Sequence, residues 1–360
     1  MIVDTTLPLA QGANAPARAL LTGVPDTLWA RLWRQDPSAL ATQSPHWATA
    51  LTLAGGFRCD TQVFRFSDGS HAALPFFTKG RGWLSYGWSP PPAWGFGGLV
   101  SDGDMTPAKL DTVLARMEGL SCLGVRIRPN PLAADLWAAA KRPGWTAIHR
   151  LAHVIDLSGG YESVQRRFRS NAGTYIRRAL RHGVQVERGN NEELIAEFHA
   201  LLGLSLSRWA RKQHEPAALA RLRGAWRDPR RKFSAMAASL GERFNLYVAR
   251  IEGRPVAAIL VLSGPQAHYT RGAIDEAFAG DSRAAYLLQA IAIEDACREG
   301  STHYHMGETG NSTSLAQFKS RFGAVPVPYA EYCYEHVPLA RLDSFARTSV
   351  KGLLGFRDVS

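Results

Sequence analysis

Residues 244–300 carry the pattern that most narrows the fold. "FNLYVARIEGRPVAAILVLSGPQAHYTRGAID" holds three strand-like runs, the first two meeting at "EGRP", a turn-forming pair of dipeptides. "SRAAYLLQAIAIEDACREG" follows, where Leu287, Leu288, Ile291 and Asp295 share one helical face and Gly300 closes the helix as a C-cap. "THYHMG" then reads as a short strand, "SLAQFKSRF" as a helical turn or two, and "PYAEYCYEH" as an alternating strand. The order β-β-β-α-β-α-β predicts an α/β domain with a mixed sheet flanked by helices.

Two helices are expected ahead of it, "YESVQRRFRSNAGTYIRRALRHG" and "NEELIAEFHALLGLSLSRWARKQ", the second with an acidic first turn. The N-terminal half repeats the order more roughly. "TQVFRFSDGSHAALPFF" is a hairpin, "TPAKLDTVLARME" a helix, "LGVRIRPN" a strand, "LAADLWAAA" a helix and "TAIHRLAHVIDL" a long strand. Two similar α/β domains follow, at 1–157 and 158–340, with a tail at 341–360. "GWSPPPAWGFGGLVSDGD" carries too much Trp for a linker and reads as an ordered loop.

At 360 residues and 46% hydrophobic the chain has enough material for two cores. No apolar run approaches the ~20 residues that span a bilayer, and the first residues lack a basic segment followed by an apolar one. Four cysteines, far apart and without a CxxC, point to reduced thiols in a cytoplasm. The net charge is +11, and residues 161–232 hold 16 Lys and Arg against seven Asp and Glu, a local +9. Clustered cations suit a polyanion, because binding releases its counterions; the same residues also read as a solvated helix face.

The strand and helix order resembles that of the GNAT acyltransferase superfamily. More specifically, "IDLSGGYESVQRRFRSNAGTYIRRALRHGVQV", "RPVAAILVL", "YTRGAID", "REG" and "FKSRFGA" resemble, in order and spacing, segments of Fem-type transferases. These are the aminoacyl-tRNA-dependent enzymes that build peptidoglycan cross-bridges. "QSPHWATAL" resembles the family's N-terminal "QSPxW", so the resemblance covers residues 40–335. It implies two tandem GNAT-like domains, with catalysis on the second.

It also implies that Phe318 and Lys319 lie at the site of transfer. Only seven of the 42 basic residues are Lys, so a lysine here is a choice against the arginine used elsewhere. Attack of an amine on an ester builds charge on the carbonyl oxygen, which a fixed ammonium in a dry site stabilises. Lysine offers a compact point charge, arginine a broad fork. Phe318 would exclude water from the activated acyl group. The bland alternative is a surface lysine beside a core phenylalanine.

Tyr269 and Arg271 are expected on one face of a strand bordering the site. Arg271 replaces a second Tyr of the family and could meet an acceptor carboxylate or phosphate, or simply reach solvent. Arg177 and Arg181, at i and i+4, share a helix face with Arg178 beside it, suited to a phosphate backbone. Tyr175 on that helix and Arg321 after the Phe-Lys pair complete the expected binding residues. Two family cations are missing: Gly173 stands three residues before Ile176, and Leu51 follows "QSPHWATA". Both departures point away from a nucleotide-sugar acceptor and favour a small peptide or specialised metabolite over the cell-wall precursor that the resemblance also allows.

"AGDSRAAYLLQ" lacks the closely spaced glycines of a QxxGxG pyrophosphate loop, which favours aminoacyl-tRNA over acyl-CoA as donor. No separate cofactor is then required, and an acyl-CoA-dependent N-acyltransferase stands as the alternative. A non-catalytic RNA-binding module is the reading outside enzymes. His149, His153, His303 and His305 show no third ligand at zinc spacing and read as core or strand-face residues. "GETGNSTS" lacks a Walker lysine and there is no GxSxG elbow.

Overall fold

The computed structural model describes residues 18–19, 26–212, 215–310 and 312–336. The expected tail, 341–360, lies outside the described residues. The chain forms two compact units, leaving the first after Arg150 and re-entering it at Pro328. Both crossings fall inside strands, Trp145–Asp156 and Val325–Glu335.

The first unit pairs Gln62–Arg65 with His71–Leu74 as the expected hairpin. A second set of strands follows: Arg58–Cys59, Phe77–Lys79, Tyr86–Ser89 and Gly124–Ile127, flanked by the returning residues 332–335. Helix Pro107–Glu118, capped by the Thr106 hydroxyl, buries Leu110, Val113, Leu114 and Met117 against Phe64, Val125, Ile127 and Tyr332. "PYAEYCYEH" does not alternate as expected, because residues 329–333 are all buried. Ala330 and Tyr332 join this core, Tyr329 meets Phe96, and Glu331 is held by arginines.

In the second unit, strands Gln185–Gly189, Phe244–Ile251, Arg254–Leu262 and Ala267–Ile274 pair antiparallel in that order. His303–Glu308 adds in parallel, and residues 152–156 close the series antiparallel. The central strands are continuous apolar runs because helices cover both faces. On one face Tyr247, Ala249, Ile259 and Val261 pack with Leu287, Leu288 and Ile293 of the main helix, Ala284–Arg298. Helix Glu192–Lys212 packs on the same strands, whose alternate residues Leu246, Val248 and Leu260 are buried as well. Asp295, on the apolar side of the main helix, is satisfied by Tyr247 (2.9 Å) and Arg188 (2.9 Å). The segment expected as one helix from Tyr161 is two, Gly160–Arg166 and Ser170–Arg181. The break is held by the Arg169 amide on the Arg321 carbonyl (2.9 Å). The molecule is a mixed α/β protein whose mixed sheet is flanked by helices.

Candidate active site

The site lies where two parallel strands part. Ala267–Ile274 and His303–Glu308 pair only at Ala267 with Tyr304 and His268 with His305. Each strand then carries a bulge. On the first, Val261 opposes Tyr269 while Leu260 opposes Arg271, leaving Thr270 as the extra residue. On the second, His305 opposes Val154 while Gly307 opposes His153, so Met306 is extra. A bulge bends and twists its own strand, and two of them facing one gap separate the strands. Gly307 sits at φ +70°, a conformation glycine adopts without strain.

The first bulge overturns one expectation. Tyr269 and Arg271 do not share a face, because a one-residue register shift moves a side chain to the opposite side of the sheet. Tyr269 packs with the main-helix core, its hydroxyl lying over Gly272, where a Cβ would come within 2.2 Å of it. Burial pushes its phenol up to about 12. Arg271 faces the other way, with its guanidinium on the Thr270 carbonyl (2.8 Å) and on Asp228 (3.3 Å). Its carboxylate partner is thus internal. Asp228 also holds the buried Lys232 (2.8 Å).

Lys319 is 1% exposed. It rides on helix Thr313–Ser320, which Ser312 caps by accepting the Leu315 amide (3.3 Å). Its Nζ donates to the carbonyls of Gly307 (2.8 Å) and Glu308 (2.8 Å), at the parted end of the strand. Burial pushes its pKa down to about 7, against the opposing pull of Glu308. Buried histidines surround it. Burial, then Arg271 and Lys319, lower His268 to about 3, and burial with Lys319 lowers His153. His305, lowered well below its usual range by burial, meets Gln266 Oε1 at 2.7 Å. A neutral imidazole set beside a buried amine is a dry, low-charge environment. Nothing in the local spacing of His153 or His268 singled them out, because two strands far apart in sequence bring them to the helix that carries Lys319.

Phe318 is half-buried, its ring 5.0 Å from Tyr286 and 5.4 Å from Phe322. Tyr175 lies 4.7 Å from Tyr286. Arg321 donates to the Tyr286 hydroxyl and lies over the Tyr175 ring at 5.5 Å. Phe318, Tyr175 and Arg321 therefore meet at the first turn of the main helix, around Tyr286, a residue that no motif in the sequence singled out. Arg283 joins them over Tyr175 (5.2 Å). On helix Ser170–Arg181, Arg177 and Arg181 are exposed, whereas Arg178 pairs with Asp281 (2.9 Å). The main helix begins after Arg283 at φ +60°, and its first amides are partly engaged: Ala284 with the Ser282 hydroxyl (3.3 Å) and Tyr286 with the Arg283 carbonyl (2.9 Å). Among the described residues no group of three or more His, Cys, Asp or Glu side chains converges to hold a metal.

Residues 166–320 match the family described as "Acetyltransferase (GNAT) domain". That stretch, within the second unit, is similar to a GNAT acetyltransferase domain. In fold, the chain is similar to the structure titled FemX at a TM-score of 0.66 and 14% identity, over 89% of this chain and 98% of that one. It is also similar to a conserved protein of unknown function from Bacteroides thetaiotaomicron VPI-5482 (TM-score 0.51, 12% identity, 86% and 94% covered). No curated protein sequence matches the chain. Among the described residues no helix is long and apolar enough to cross a membrane.

Proposed function

We propose that the chain is an aminoacyltransferase that moves an aminoacyl group from tRNA to an acceptor amine. The observation that carries the reading is Lys319, buried and held on two backbone carbonyls where the strands part. The amine attacks the ester carbonyl carbon and the oxygen takes the charge. The carbon–oxygen bond to the tRNA ribose then breaks, the ribose oxygen gains a proton and the amine loses one. Lys319 stabilises the oxyanion, and Phe318 with Tyr286 keeps water from the ester. The exposed Arg177 and Arg181, with Arg178, meet the donor's phosphates.

The rival donor is an acyl-CoA, favoured by the acetyltransferase character of the matched family. Against it stand the partly engaged amides at the start of the main helix, where such a cofactor's pyrophosphate needs open N–H groups. In a reconstituted reaction with labelled aminoacyl-tRNA and an amine acceptor pool, ribonuclease should abolish product and CoA thioesters should be unnecessary. Ribonuclease-resistant transfer from an acyl-CoA would give the site to the rival donor.

A further inference from the structure

Helix Ala217–Arg227 is built inside out. Ala220 and Gly224 point inward, and a Cβ at Gly224 would meet Leu206 Cδ1 at 2.6 Å, so small residues let this helix lie close on Glu192–Lys212. The large apolar side chains point outward. Leu222 is 69% exposed and Trp226, one turn on, 84%, with Leu219 at 39% on the same face. A surface helix of a globular domain normally does the reverse. Isolated exposed leucines need no explanation, but a stripe that includes tryptophan marks an interaction surface.

The rim of this stripe is cationic. Residues 215–231 hold Arg221, Arg223, Arg227, Arg230 and Arg231 against Glu215 and Asp228, five minus two, a net of +3. Glu215 pairs with Arg223 (2.7 Å), Asp228 with Lys232 (2.8 Å) and Arg227 (3.4 Å), and Arg230 reaches Glu192 (3.1 Å), so the acids are taken up and the excess of the rim is positive. We propose that this face docks on an anionic lipid surface. Leu219, Leu222 and Trp226 enter the headgroup region while the arginines meet lipid phosphates. Leucine and tryptophan on one face with arginine around them is the composition of an interfacial helix. An RNA backbone would use the arginines but leave the apolar stripe in water, and a second copy would set one net-positive rim against another. The inference does not depend on which acyl donor the site uses.

The test sediments the full chain with vesicles of phosphatidylcholine alone and of phosphatidylcholine with phosphatidylglycerol. Binding is expected only with the anionic lipid and should weaken as salt rises. The double variant Leu222→Ser/Trp226→Ser should lose about tenfold or more in vesicle affinity. Its thermal unfolding should match the parent's, since both side chains are exposed. Absence of binding to the anionic vesicles, or binding that ignores the double variant, overturns the proposal. So does a dimer that the double variant dissolves, which would assign the face to a second copy. Loss of tRNA affinity in that variant, with vesicles unbound, would assign it to RNA.

Discussion

With two of its hydrogens on Gly307 and Glu308, Lys319 has one position left for a ligand. In the charged form that position is a donor; in the neutral form it is a lone pair. Lys319→Ala is expected to lower the transfer rate on the order of 10²–10³-fold, as removal of an oxyanion donor does elsewhere. Lys319→Arg should fail too, because a planar fork cannot take the same point between two carbonyls. The pH profile assigns the form. A pKa of about 7 with an ammonium role predicts a rate that falls as pH rises through neutrality; a rising limb there would make Lys319 a base instead. The same shift bears on stability. The folded pKa lies below the 10.5 of an ordinary lysine, so between about 7 and 10.5 the unfolded chain holds the proton more often. The parent's stability should therefore rise across that window relative to Lys319→Met, measured by urea unfolding.

Two elements decide whether the site forms and what it binds. The parted strands depend on their bulges, and Gly307 at φ +70° is the residue with least tolerance. A Cβ there would find only the Tyr269 carbonyl oxygen, at 3.6 Å, so the strain of Gly307→Ala is conformational, about 1–2 kcal/mol. Chemical denaturation should register that loss. Helix Ser170–Arg181 buries Ala172 and Ala179 and turns Arg177 and Arg181 outward. Replacing Arg177, Arg178 and Arg181 with Gln should weaken tRNA binding and flatten its salt dependence by up to about three phosphate contacts. An unchanged slope would leave the helix as a solvated face.

Across the whole molecule, the stability of the first unit depends on chain that comes back from the second. Glu331, in the returning strand, is fully buried and bound by Arg128 (2.7 Å), Arg150 (2.7 Å) and Arg126 (3.2 Å). Burial works to raise its pKa, yet Arg128, Arg150 and Arg126 together hold it below its usual value. Glu331→Gln would leave three guanidiniums without their shared anion. Removing one partner of a buried ion group costs about 3–5 kcal/mol, which equilibrium unfolding should show.

The strand and helix order was legible in the sequence because period and turn chemistry are local: "EGRP", the apolar face of the main helix and its closing Gly300 need no distant partner to be read. The choice of Lys319 over arginine was legible for the same reason. Register was not. Thr270 and Met306 look like ordinary strand residues, and only pairing with Leu260–Val261 and His153–Val154 makes them bulges. That pairing put Tyr269 and Arg271 on opposite faces and opened the gap between the strands. Nor could spacing show that His153, His268 and Lys319 come together, or that Leu222 and Trp226 face outward while Ala220 and Gly224 face in. Local propensity is written residue by residue. Which face is covered, and which charge is left in a dry place, follows from what the rest of the chain packs against it.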